Sequence, residues 1–239
     1  RYLNCQADNP SYSAGNVALV MVQDQKATIF GTKERWKSLN RGVSPAEERN
    51  GVKIYTRSFF GKGYVLTDVY DVRQTSGREL KHTALQPDSK EMDEALKALL
   101  NYSVVPLVSD ESIPMPAFYD SEQMKLAINP KYPDAEAFAG IATEIAHARF
   151  HGKGYNQNYS REDYELDAQS VGYMICRRFG VPCEAPDTSN LDALYDGFEA
   201  LDRRGALGQM QDLAQKIGGS IERAITPQVR SRNMNRSAR

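Results

Sequence analysis

Cysteine, histidine and tryptophan are scarce in this chain of 239 residues, which contains three, three and one of them. The cysteines, Cys5, Cys176 and Cys183, are odd in number and show no CxxC spacing, so neither a disulfide framework nor a cysteine zinc finger is expected. A reducing, cytoplasmic setting fits that usage. No apolar run approaches the roughly 20 residues that span a bilayer, so membrane insertion is not expected. An excess of one charge sign is missing too. With 30 basic and 31 acidic residues the formal net charge is -1, and binding to nucleic acid must come from a local patch instead of the field of the whole molecule. The chain opens on Arg1 instead of methionine, as a fragment would, and no charged-then-apolar signal stretch is visible there. What is present is an ordinary globular composition, 41% hydrophobic and 26% charged, in a length that accommodates two compact domains.

The hydrophobic period changes along the chain. Tyr12 to Gln23 carries apolar residues near helical spacing, and Thr32 is placed to cap a short helix through Trp36 and Leu39. Val52 to Arg57 then alternates as a strand does, Gly61-Lys62-Gly63 supplies turn residues, and Tyr64 to Val72 alternates again, which predicts a β-hairpin. The polar stretch from Gln74 to Lys90 reads as a connection, with a boundary near Asp88. Beyond it the expected elements are a helix over Ser89 to Leu100, strands over Val104 to Val108 and Met124 to Ile128, and four helices. Those helices cover Asp134 to Gly152, Ser160 to Phe179, Asn190 to Phe198 and Ala200 to Ala224. The expected class is α+β, with a small α+β domain over 1–88 and a mostly helical domain over 89–226. The segment 227–239, with four arginines and no acidic residue, is expected to be a disordered basic tail.

Thr143-Glu144-Ile145-Ala146-His147 falls on the first of those four helices. In HExxH two histidines four residues apart share one helix face and grip a zinc ion, while the glutamate between them acts as general base on bound water. Glu144 and His147 hold the right offset, but Thr143 stands where the first histidine belongs, and threonine is a poor zinc ligand. His151 lies one turn beyond His147, so that pair offers an alternative grip. A third ligand would then come from the next helix, with Asp167 preferred and Asp163 one turn earlier as the other choice. Against this stands the plainer reading in which the histidines are solvated or paired with carboxylates.

The first half carries a local charge excess. Between Lys26 and Lys62 there are nine basic and three acidic residues, interleaved with Trp36, Tyr55, Phe59, Phe60 and Tyr64. Lys33, Lys37, Arg41, Lys53, Arg57, Phe59 and Lys62 are the candidate nucleic-acid contacts, cations for phosphates and an aromatic for base stacking, with single-stranded nucleic acid as the expected partner. The competing reading makes Trp36 and Tyr64 core residues and the lysines solubilising.

Two resemblances bear on these choices. The run from Ala117 to Val181, with its AINP strand end, FAGIATEIAHARFH and YELDAQSVGYMICRRFGV, resembles the zincin-like domains of the ImmA/IrrE superfamily and looks especially like LtrC-like proteins of bacterial mobile elements. YSAGN, ATIFGTKERWKSLNRGV, GVKIYTR and VYDVRQT resemble the N-terminal single-stranded-DNA-binding domain of ArdC-type antirestriction proteins, in which a metallopeptidase domain follows. The chain departs from the pattern at Thr143 and at Glu47-Glu48-Arg49-Asn50-Gly51, where the family has Gly-Glu-Lys-Gly. The resemblance implies a bacterial cytoplasmic protein that binds single-stranded DNA and acts in antirestriction or conjugative transfer. It also implies a site in which Glu144 is the general base and His147, His151 and Asp167 hold zinc against a protein or peptide substrate. Two alternatives are a catalytically dead scaffold that binds DNA or protein, and an ImmA-like regulatory protease that cleaves a repressor.

Overall fold

The computed structural model describes residues 1–58, 61–152 and 158–226. Two short helices open the chain, α1 (Tyr2–Asp8) and α2 (Ala14–Gln23), followed by β1 (Phe30–Gly31), α3 (Lys33–Ser38) and β2 (Arg41–Val43). The hairpin strands β3 (Val52–Arg57) and β4 (Tyr64–Asp71) come next, then β5 (Thr75–Gly77). After the connection follow α4 (Lys90–Leu100), β6 (Leu107–Ser109), β7 (Ala117–Asp120) and β8 (Lys125–Ile128). The chain closes through α5 (Asp134–Gly152), α6 (Arg161–Arg178), α7 (Leu191–Leu194) and α8 (Ala200–Ile225). The class is α+β, as the periodicities require. No helix among the described residues is long and apolar enough to cross a membrane.

In the first half, β4 lies between β1 and β3, antiparallel to both, and β2 pairs with β5 in a separate ribbon. The alternation of β3 turns Ile54 inward, where it packs with Val17 and Val20 of α2, Phe30 and Val69. The same alternation turns Lys53, Tyr55 and Arg57 outward. The free edge of β3 meets side chains of α2 instead of another strand. Asn16 accepts from the Tyr55 N–H at 3.0 Å and donates to its carbonyl at 2.8 Å, and Gln23 does the same for Lys53 at 2.9 and 2.7 Å. Seven residues apart, the two amides lie on one face of α2 and satisfy an edge that would otherwise invite another chain. Gly61 and Gly63 both take positive φ in the turn of the hairpin, a conformation that side chains resist.

Thr32 caps α3 as expected, its hydroxyl accepting from the Arg35 amide at 3.2 Å. Trp36 is fully buried, with its indole N–H donating to the Tyr70 carbonyl at 2.9 Å. Tyr64 corrects the core reading, because at 68% exposure it stands in solvent on the hairpin.

The second half is built around α5 and α6, which pack antiparallel. Phe138, Ile141 and Ile145 of α5 meet Val171 and Ile175 of α6, Leu126 of β8, Met92 and Leu99 of α4, and Ile217 and Ile221 of α8. Strand β8 runs parallel to β6 and antiparallel to β7, and β7 lies along α5. The expected boundary near Asp88 is crossed by packing. Ala7 and Leu85 are buried in the larger core, Tyr173 donates to Asn4 at 2.6 Å, and Arg177 pairs with Asp8 at 2.8 Å. Helix α1 therefore serves both cores, since Cys5 belongs to the smaller one.

Two expected elements are shorter than their patterns suggest. The helix over Asn190 to Phe198 is a single turn, Leu191–Leu194, with its C-cap at Tyr195. The strand expected from Val104 begins only after Pro106, which has no N–H for a ladder. The expected tail 227–239 lies outside the described residues.

Candidate functional site

Helices α5 and α6 are in close contact where Gly172 faces Thr143. A Cβ at 172 would collide with the Thr143 hydroxyl, and that hydroxyl is turned back to donate to the Ala139 carbonyl at 3.1 Å. The position that holds a metal-binding histidine in HExxH is thus a helix-packing contact in this chain.

Glu144, the next residue, and His147, one turn on, are both buried. Neither oxygen of Glu144 is free. Its Oε2 accepts from the Tyr119 amide at 2.7 Å and from Arg161 Nη1 at 3.0 Å, and its Oε1 accepts from Arg161 Nη2 at 2.5 Å. The guanidinium reaches on through Nε to Glu165 Oε2 at 3.4 Å and lies over the Phe118 ring, 4.9 Å from its centre. Burial works against the Arg161 charge, but the hydrogen bonds and charge of Glu144 more than offset it and hold the group above its ordinary pKa.

His147 lies on the other side of Glu165. Its Nε2 is 3.2 Å from Glu165 Oε2, within ion-pairing reach but without hydrogen-bond geometry, so this nitrogen is buried with no aligned partner. Its Nδ1 is 2.9 Å from the Tyr159 hydroxyl. The contact with His147 comes first among the causes that hold the Glu165 carboxyl below the usual range, with Gln169 and Arg161 adding to it. His147 thus stands beside a carboxylate with no hydrogen bond to it from Nε2.

The other expected ligands point elsewhere. His151 turns its Nδ1 to the Tyr119 hydroxyl at 2.7 Å and stacks on Tyr159, ring centres 4.5 Å apart. Asp167 is buried and accepts from the Tyr195 hydroxyl at 2.8 Å, and Asp163 is exposed at the start of α6. Among the described residues no three His, Cys, Asp or Glu side chains are gathered so that they could hold one metal ion. The expected set of His147, His151 and Asp167 is not brought together, since the three face Tyr159, Tyr119 and Tyr195 respectively. Glu165, not Asp167, is the carboxylate beside His147, and the cation between the carboxylates is Arg161. Spacing could not show this, because Arg161 and Glu165 reach the site only through the crossing of α6 over α5. The one available signal was the i, i+4 pair of Arg161 and Glu165 on a helix opposite Glu144.

Asp167 gives a prediction. Burial raises its pKa above the usual carboxylate value, and the Tyr195 hydrogen bond offsets only part of that. A raised carboxylate pKa means the ionised form is disfavoured in the fold, so its cost appears as pH rises through the folded value. Asp167→Asn keeps an acceptor for Tyr195 and is expected to raise Tm at pH 7 by about 1–3 °C. The gain should shrink toward pH 4 in melts followed by circular dichroism.

The candidate nucleic-acid contacts divide into two groups. Arg41 is a structural clamp, donating to the Arg78 carbonyl at 2.6 Å, the Thr75 carbonyl at 2.9 Å and the Thr75 hydroxyl at 2.9 Å. Lys33 pairs with Glu48 at 3.0 Å and Lys53 with Asp68 at 2.6 Å. The loop that departs from the Gly-Glu-Lys-Gly pattern is closed on itself, Glu47 accepting from Gln74 and Asn50 at 3.1 Å each. Lys37, Arg57 and Lys62 are exposed, and Phe59 lies outside the described residues.

On the outer face of the hairpin Arg57 stands opposite Tyr64 and Tyr55 opposite Leu66. Tyr55 is 55% exposed and Leu66 59%. Beside this face runs a cleft of about 970 Å³ whose lining includes Asn16, Tyr55, Arg57, Tyr64 and Arg204, the last from α8.

The α+β chain so described, a hairpin half joined to a helix-pair half, has the fold of a known antirestriction protein. It is similar to the ArdC antirestriction protein of plasmid R388, which has been solved in a Mn(II)-bound form at 20% identity and a metal-free form at 17% identity to this chain. In both cases the TM-score is 0.51, with 89% of this chain and 84% of the other covered. No family model and no curated protein matches the chain.

Proposed function

We propose that this protein binds single-stranded DNA through its hairpin half and serves an antirestriction or DNA-transfer role in a bacterial mobile element, with the zincin-like helical half acting as a scaffold. The observation that carries the reading is the outer face of the β3–β4 hairpin. Two tyrosines and a leucine lie exposed there in cross-strand register with Arg57, at the mouth of a cleft that also contains Arg204. Apolar area kept in water on a rigid sheet costs stability unless something covers it. Aromatic faces beside cations suit unpaired bases, which stack without regard to sequence while the phosphates meet the charges. The ArdC fold supports the same reading, and Phe59, Lys37 and Lys62 belong to the proposed surface as further contacts.

Single-strand binding through about three phosphates, at Arg57, Lys62 and Arg204, predicts a log–log salt slope near -2. Affinity for a fluorescent oligothymidylate should fall about 10- to 20-fold between 50 and 200 mM salt. A chain that binds neither single-stranded nor double-stranded oligonucleotide at low salt would defeat the proposal.

The scaffold reading of the helical half rests on Glu144, whose two oxygens are engaged by Arg161 and the Tyr119 amide. A regulatory protease would need that carboxylate free to accept a proton from water. Partner proteins or peptides then bind without being cut.

A further inference from the structure

We propose that the Arg161 guanidinium is the resident cation of the α5–α6 site, standing where a divalent metal would neutralise Glu144 and Glu165 beside His147. This goes beyond the scaffold reading and is independent of DNA binding, so its test reads the two apart. Arg161 occupies the first turn of α6, where the helix dipole disfavours a positive charge. Two carboxylates and the Phe118 ring hold it there. The planar fork meets Glu144 with two parallel bonds and Glu165 with its third nitrogen, a geometry lysine cannot reproduce.

The orphaned His147 Nε2 lies 3.2 Å from Glu165, so one nitrogen and one carboxylate of a metal site are already side by side. Glu144 is held away from them by its two bonds to Arg161 and by the Tyr119 amide. Thr143 and Arg161 thereby belong together. The first removes a ligand and fills the helix contact at Gly172, and the second supplies the positive charge that the remaining acidic groups require. Among the described residues the two carboxylates and the imidazole are not gathered on one point while Arg161 is present. Removing the guanidinium should free Glu144 Oε1, with Oε2 still on the Tyr119 amide, to turn toward His147 and Glu165 as a third donor of the kind zinc accepts.

The experiment is thermal melting, with elemental analysis, of the full chain prepared without chelator. Wild type is expected to contain no stoichiometric zinc and to keep its Tm with either excess ZnCl2 or EDTA. Arg161→Ala is expected to melt roughly 5–10 °C lower and to recover part of that loss on adding zinc, saturating at one equivalent. Adding His147→Ala to it should abolish the recovery. Stoichiometric zinc in wild type whose removal lowers Tm would overturn the proposal, as would an Arg161→Ala protein that melts like wild type or does not respond to zinc. Should Arg161→Ala not fold, Arg161→Lys decides: a lower Tm than wild type supports the assignment, and an unchanged one overturns it.

Discussion

Replacing Tyr55 and Tyr64 together with alanine is expected to weaken binding of a single-stranded oligonucleotide by about two orders of magnitude or more. Stacking on an aromatic side chain is worth ~1–3 kcal/mol per base, and the two rings stand on adjacent strands where successive bases can reach both. Tyr55 faces Leu66 and Tyr64 faces Arg57 across the hairpin, so both rings lie on the outer face, away from Ile54 and Val69. Because both rings are more than half exposed, the substitutions should leave folding stability within about 0.5 kcal/mol of wild type. That separation makes fluorescence anisotropy a clean readout. Arg57→Ala should weaken binding as well, and should also flatten the salt dependence by removing a phosphate contact. Arg41→Ala serves as the contrast, since its guanidinium bonds to backbone carbonyls of the β5 segment and its loss should lower stability instead of the salt slope. If the tyrosine pair can be removed with no loss of affinity, the hairpin is not the binding surface.

The second large effect is on stability. Glu144→Ala is expected to destabilise the fold by about 2–4 kcal/mol, read from urea unfolding. Breaking a buried ion pair by removing one partner costs about 3–5 kcal/mol. The side chain of Arg161 is 33% exposed, so water takes over part of its solvation and the figure is discounted accordingly. The Tyr119 amide also loses its acceptor, which adds an unsatisfied buried donor. Glu144→Ala combined with Arg161→Ala should cost less than the sum of the two, with a coupling of about 1–3 kcal/mol, because the second removal takes away the charge stranded by the first. A general base left free in an open site would behave differently. Its removal would leave stability nearly untouched.

Local pattern was sufficient wherever a residue's fate depends on its immediate neighbours. The limits of α5 at Asp134 and Gly152, of β3 at Val52 and Arg57, and the cap at Thr32 were all legible, because helix period, strand alternation and capping are set within a few residues. Short elements with weak patterns were not. Helix α1 has seven residues and β7 only four, and each is held by packing against α6 or α5 more than by its own preference.

For the site, sequence alone determined that Glu144 and His147 share a helix face and that Thr143 breaks the metal-binding pattern, since both follow from positions on one helix. Only the tertiary structure decided which groups meet them. The antiparallel crossing at Gly172 sets the register of α6 on α5 and brings Glu165 to His147, while Asp167 is turned to Tyr195. Long side chains widen that gap. Arg161 is 17 residues from Glu144 in sequence and 2.5 Å from it in space, and the charge of the site depends on that contact. A spacing rule describes one helix, whereas an ion pair between helices depends on their relative placement, which is set by the whole core.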